Sequence, residues 1–184
     1  MIMADNENII LTRDVEVVTI PDGNLGQLTA GEHVVLHQAL GNNFTVITSY
    51  GHMVRIAGKD ADALGKESAE IVAPVNENNA QAIEQNCWAV MKTVYDPEIP
   101  VNIVDLGLVY SCDVILSDSE QYYVHVKMTL TAPGCGMGPV IQSDVERGIR
   151  ALPNVERTEV EIVLDPPWSR EMMSEAAQLQ LGLF

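Results

Sequence analysis

Between Tyr122 and Leu152 the apolar residues change period, and that change dictates a strand, a tight turn and a helix in immediate succession. Tyr122, Val124, Val126, Met128 and Leu130 alternate with Tyr123, His125, Lys127, Thr129 and Thr131, the two-residue period of a strand with one covered face. Gly134, Gly136 and Gly138, with Pro133, then break the pattern around Cys135. From Pro139 onward Ile141, Val145, Ile149 and Leu152 recur at helical spacing. Pro139 fits the first helical turn, where its missing N–H leaves nothing unpaired.

The flanking sequence extends this unit. Leu108 to Leu116 reads as a strand joined to the alternating one through the polar turn Ser117-Asp118-Ser119-Glu120, which makes a hairpin. Ala80, Ile83, Cys87, Val90, Met91 and Val94 predict an amphipathic helix over 78–94, stopped by Asp96-Pro97. Val155 to Leu164 is a third strand, with Val160, Ile162 and Leu164 on one face. A last helix is expected from Ser169, as N-cap, to Leu181, with Gly182 closing it. The order helix–strand–strand–helix–strand–helix is that of a small layered α/β (α+β) domain over 78–184.

The first half has a different character. Thr12 to Ile20, His33 to Leu40, Phe44 to Ser49 and Met53 to Ala57 are short strand candidates, rich in Val, Ile and Thr. Pro21-Asp22-Gly23-Asn24, Gly41-Asn42-Asn43 and Tyr50-Gly51-His52 supply turns between them. They predict a small β-rich N-terminal domain, a barrel or meander, over 1–57. The polar stretch 58–77 is read as a linker.

Composition limits the function classes. Ten basic against 26 acidic residues give a formal charge of −16. Nucleic-acid backbones and anionic membranes are recognised by clustered Lys and Arg, so neither is an expected partner. With 47% apolar and 20% charged residues the chain has a globular balance. No apolar run reaches the roughly 20 residues of a membrane span. The N-terminal residues lack the basic and apolar regions of a signal peptide, and the cysteine number is odd. Reduced thiols and a cytoplasmic location are the expectation.

Cys135 carries the sharpest chemical signal. It sits between glycines, where a strand gives way to a helix, and the helix dipole favours a thiolate there. Such a thiolate serves as a nucleophile or as a soft ligand for iron, zinc or copper; the plainer alternative is a small apolar plug in a glycine turn. Cys87 and Cys112 lie on apolar faces and read as core thiols. No Cys-x-x-Cys pair occurs, and one cysteine falls short of the four ligands of a closed zinc site or a full cluster. Asp96, Glu98 and Asp105 form an acidic, proline-stiffened loop that could hold a hard cation or move protons. Capping and turn formation are the competing use, with Gly107 at positive φ. Asp165-Pro166-Pro167-Trp168 offers either a docking anchor or a staple closing the last helix. His33, His37, His52 and His125 have no zinc-motif spacing, and neither a P-loop nor a nucleophile elbow is present.

Three segments together, Asp96-Pro97-Glu98 through Asp105-Leu106-Gly107-Leu108-Val109-Tyr110, Thr129-Leu130-Thr131-Ala132-Pro133-Gly134-Cys135, and Asp165-Pro166-Pro167-Trp168, resemble the MIP18-like (DUF59) family over 78–184. Gln38-Ala39-Leu40-Gly41, Gly51 and Asp60-Ala61-Asp62-Ala63-Leu64-Gly65 are similar to the N-terminal extension of its SufT-type branch. The resemblance implies an iron–sulfur cluster assembly or maturation factor rather than an enzyme, with Cys135 as a transient iron, cluster or sulfur ligand. Around it Asp105, Thr129, Thr131 and Glu98 are the expected supporting pocket residues, and Trp168 is the expected partner-docking residue. Iron or an iron–sulfur cluster is the implied cargo, and assembly proteins and client apoproteins are the implied partners. The alternative is a non-catalytic adaptor between the assembly machinery and its clients. Many relatives carry Pro after the motif cysteine, where this chain has Gly136. A homodimer is expected because a two-fold axis doubles the single Cys135.

Overall fold

Short β-branched runs separated by glycine turns favour antiparallel pairing of neighbours, and the first third of the chain builds one such sheet. The computed structural model describes residues 7–67, 75, 77–132, 134 and 136–183, and the chain divides into two units, 1–70 and 71–184. In the first unit the strands are β1 (Glu7–Ile10), β2 (Val15–Thr19), β3 (Leu25–Leu28), β4 (His33–Leu40), β5 (Asn43–Thr48) and β6 (Met53–Ala57). Their order across the sheet is β1-β4-β5-β6-β2-β3, every pair antiparallel, with β4, β5 and β6 forming a meander. The edge strands β1 and β3 are too short and too exposed to leave an apolar pattern in the sequence.

The first residues of the stretch expected as a linker belong to the fold of the first unit. Gly58–Leu64 is a 3-10 helix whose Ala61, Ala63 and Leu64 complete the core formed by Leu11, Val15, Val17, Val34, Leu36, Val46, Val54 and Ile56. Lys59 and Asp62 point outward, while Asp60 is largely covered. The Arg13 guanidinium donates to Asp62 at 2.8 Å and to Asp60 at 3.0 Å, and the Thr12 N–H donates to the Ala63 carbonyl at 3.0 Å. The carboxylates hold Arg13 above even its usual basicity, while Arg13 holds Asp62 below the usual carboxylate range.

In the second unit α1 (Ala80–Met91) starts at Asn79, whose side chain accepts the Ala82 N–H at 2.8 Å. Strands β7 (Val109–Leu116), β8 (Tyr122–Met128) and β9 (Val155–Ile162) form a three-stranded sheet with β8 in the centre. β7 and β8 are the expected antiparallel hairpin, whereas β8 and β9 run parallel and are bridged by α2 (Gly138–Arg150). Tyr122, Val124, Val126 and Met128 are buried on one face, with Val160 beside them, and α1 packs on β7 while α2 packs on β9. Gly148 lets the two helices approach, since a Cβ there would reach the Val90 side chain at 2.7 Å. This is the mixed α+β layer that the pattern predicts. No helix among the described residues is long and apolar enough to cross a membrane.

The C-terminal segment departs from expectation. Ser169 does not begin a long helix: a 3-10 turn at Arg170–Met172 ends at the extended Met173, and α3 is only Glu175–Gln180, capped by Ser174. Met173 is buried, so the chain breaks its helix to deliver that side chain to the core. Gly182 follows α3 with φ of 70°.

Candidate functional site

Helix α1 gives way to a reversal whose geometry is set by two short polar side chains. Asp96 is buried, and one of its oxygens accepts the Glu98 and Ile99 N–H groups, each at 2.9 Å. Burial is the largest influence on this carboxyl and moves its pKa up, against those two N–H donors. Tyr95 pairs with Asn102 across the reversal. Asn102, also buried, accepts from Val104 N–H at 3.1 Å and Asp105 N–H at 2.9 Å, and its amide donates to an Asp105 oxygen at 2.6 Å. The half-buried Asp105 carboxylate is thus held by a neighbour rather than capping its own loop. Gly107 takes φ of 73°, and an added Cβ would land on the Met172 carbonyl.

The turn at residues 105–108 is where the motifs meet. The Ser174 N–H donates to the Asp105 carbonyl at 2.8 Å, and the Trp168 indole N–H donates to the Leu106 carbonyl at 2.8 Å. The Thr129 N–H donates to the Leu108 carbonyl at 2.8 Å. The Tyr110 hydroxyl donates to the Pro166 carbonyl at 2.7 Å, and the Gln180 amide reaches the Pro100 carbonyl at 2.8 Å. The chain from Pro166 to Gln180 is therefore a strap across the acidic loop.

The sequence-predicted residues fare differently. Asp105 and Thr129 come together through this turn, but Thr129 is 1% exposed: the strand alternation ends at Met128, and Thr129 turns inward where the sequence pattern put it on the open face. Thr131 is half-buried two residues on. Glu98 is exposed at the tip of the proline turn, and no hydrogen bond links its side chain to Asp105. Trp168 is half-buried with its indole N–H engaged, the geometry of a staple. Pro133 and Cys135 lie outside the described residues; α2 begins three positions after Cys135, at Gly138. Among the described residues no three His, Cys, Asp or Glu side chains converge as a metal set.

Sequence reasoning missed Asn102. Its signal was there in Asn102-Ile103-Val104-Asp105, an Asn followed by N–H groups two and three residues on, the pattern of an Asx turn. His125 lies on the sheet face opposite the helices, 3.4 Å from Glu161 and stacked on Tyr123.

Comparison with known proteins places the second unit. A sequence model described as iron-sulfur cluster assembly protein matches residues 84–162. An Fe-S protein maturation auxiliary factor, YitW, of Bacillus subtilis is 42% identical over 103 residues, which is 56% of this chain and 97% of that protein. The Fe-S protein maturation auxiliary factor SufT of Staphylococcus aureus is 43% identical over 90 residues, 49% of this chain and 98% of its own length. The crystal structure of a DUF59 domain from Bacillus anthracis superposes with a TM-score of 0.50 at 40% identity, covering 57% of this chain and 96% of that one.

Proposed function

The chain belongs to the iron–sulfur cluster assembly protein (DUF59) family, and from that premise we propose that it is a maturation factor that passes iron, a cluster or sulfur to client apoproteins. Cys135 is the ligand that holds this cargo in transit. The observation that carries the reading is the convergence of three separated segments on the turn at 105–108. A fold that needed only a stable core would not have to tie the Asn102–Asp105 pair, the end of β8 and the C-terminal strap to one turn.

In this reading Asn102 fixes the orientation of the Asp105 carboxylate, and the Thr129 N–H ties the end of β8 to the same turn. A carboxylate and a thiolate acting together would suit short-lived binding of iron, because the ligands come from unlike groups and are few. Trp168 keeps the strap closed over the loop. Glu98, exposed on a proline-stiffened turn, is the side chain offered to a partner. The factor hands on its cargo and performs no turnover chemistry of its own. Two copies related by a two-fold axis would bring two Cys135 thiolates to one cargo.

Purification under anaerobic conditions, iron and sulfide analysis, and reconstitution of a client enzyme test the proposal. Wild-type protein should carry substoichiometric iron or raise client activity, and Cys135→Ser should lose both. A second reading is an adaptor that joins assembly proteins to clients, and the same variant separates the two. Clean protein with undiminished client activation by Cys135→Ser would put that reading first.

A further inference from the structure

The sequence reads Cys87 and Cys112 as two unrelated core thiols, but the fold brings them together. Cys112 pairs in register with Val126, which pairs with Val160, so its side chain lies on the helix-covered face of the sheet. Cys87, fully buried, is on the face of α1 that packs against β7. Both thiols are free and lie in the layer between α1 and β7, and Cys112 is the first influence holding the Cys87 pKa up. Between them the chain makes the whole acidic reversal that carries Asp96, Asn102 and Asp105.

We propose that Cys87 and Cys112 are a modification site: a buried dithiol that a low-molecular-weight disulfide converts reversibly into an internal disulfide, stapling the two ends of the acidic loop. Chemistry favours this over a soft-metal site. No third donor joins the pair among the described residues, and two thiolates alone leave the four-ligand shell of zinc or iron half filled. A disulfide is neutral and apolar, and suits the layer between α1 and β7.

The exchange runs in two steps. Cys112, half-buried, is the entry thiol. As the thiolate it attacks one sulfur of the small disulfide, the S–S bond breaks, and one small thiolate leaves and takes up a proton. The Cys87 thiolate then attacks the Cys112 sulfur and expels the second small thiol. Two protein thiols are oxidised, one small disulfide is reduced to two thiols, and the two protons pass to the leaving groups. The order is favoured by charge. The Cys112 thiol is the first cause of the raised pKa of Cys87, ahead of burial, and capping Cys112 removes it. The staple does not depend on what Cys135 carries.

The test uses the full-length wild-type chain and Cys135→Ser, exposed to oxidised glutathione and digested with trypsin without reduction. The three cysteines fall in separate tryptic peptides, 67–92, 93–127 and 128–147. The expected product is peptide 67–92 linked to 93–127 in a monomer on a non-reducing gel, with free thiols falling from two to none in Cys135→Ser. Dithiothreitol should restore both thiols and reverse a rise in melting temperature. Unchanged thiol titre, lasting glutathione adducts on Cys112 with Cys87 unmodified, or a link formed only between molecules each overturns the proposal.

Discussion

At the scale of single residues, the Asn102 carbonyl oxygen decides how the acidic loop is held, and the proposed function turns on the Cys135 sulfur. Asn102→Ala removes the acceptor for two N–H groups and the donor to Asp105 while leaving the loop's apolar contacts in place. Leaving buried N–H groups without partners costs about 1–3 kcal/mol. The urea midpoint should fall by that amount, and client activation should fall further than stability accounts for, because Asp105 loses its orientation. Equal activity at a permissive temperature would remove Asn102 from the site. The three thiols should also separate by reactivity. Burial and Cys112 both push the Cys87 thiol up, and Cys112 is half-covered. The proposed role of Cys135, which stands between glycines three positions before a 13-residue helix, calls for the most reactive of the three thiols. Alkylation of native protein with peptide mapping should label Cys135 roughly tenfold faster or more than either of the others. Prior labelling of Cys112 would reverse that ranking.

At the scale of elements, the acidic reversal rests on a carboxyl that would be easier to bury uncharged. Burial raises the Asp96 pKa in the folded state, so the folded chain binds that proton more tightly than the unfolded chain does. Ionisation of Asp96 therefore erodes stability as pH rises from the ordinary Asp value, about 3.9, through the raised one. Asp96→Asn keeps an oxygen for the Glu98 and Ile99 N–H groups and cannot ionise. Its stability relative to wild type should be greatest near neutral pH and should shrink as pH falls through the raised value, levelling off at about 4, measured by urea unfolding across a pH series. A difference independent of pH would mean that Asp96 is not the titrating group. The sequence made the period-2 run of β8, the periodic helices α1 and α2 and the hairpin legible, because each writes its covered face in spacing. It could not show that Gly58–Leu64 joins a core, since the inward residues there are two alanines and one leucine among charges. Nor could it show the break at Met173, which a buried methionine imposes through tertiary contact. For the site, the three motifs were legible as segments, whereas their meeting at 105–108 depends on backbone carbonyls, which leave no mark in side-chain identity.

At the scale of the whole molecule, the two units have separate cores and a divide at residues 70 and 71. The matched family region, residues 84–162, falls entirely in the second unit, and relatives with little more than its length are maturation factors by name. The second unit should therefore fold and activate a client without the first. Where it is cut matters. Asn86 is buried and binds Val75 twice, accepting its N–H at 2.8 Å and donating to its carbonyl at 3.1 Å. A fragment of residues 75–184 keeps both bonds, whereas a fragment of residues 78–184, cut where the helical pattern starts, strips them from a side chain on the covered face of α1. The shorter fragment should be less stable by about 1–2 kcal/mol, the usual cost of leaving such a group without its partners. Asn86→Ala should remove most of the difference between the two fragments, because it deletes the same pair of bonds in both. Urea unfolding of the four proteins measures this cycle. Equal midpoints for the two parent fragments would show that residues 75–77 do not brace α1, and a 75–184 fragment that fails to unfold cooperatively would show that the second unit depends on the first.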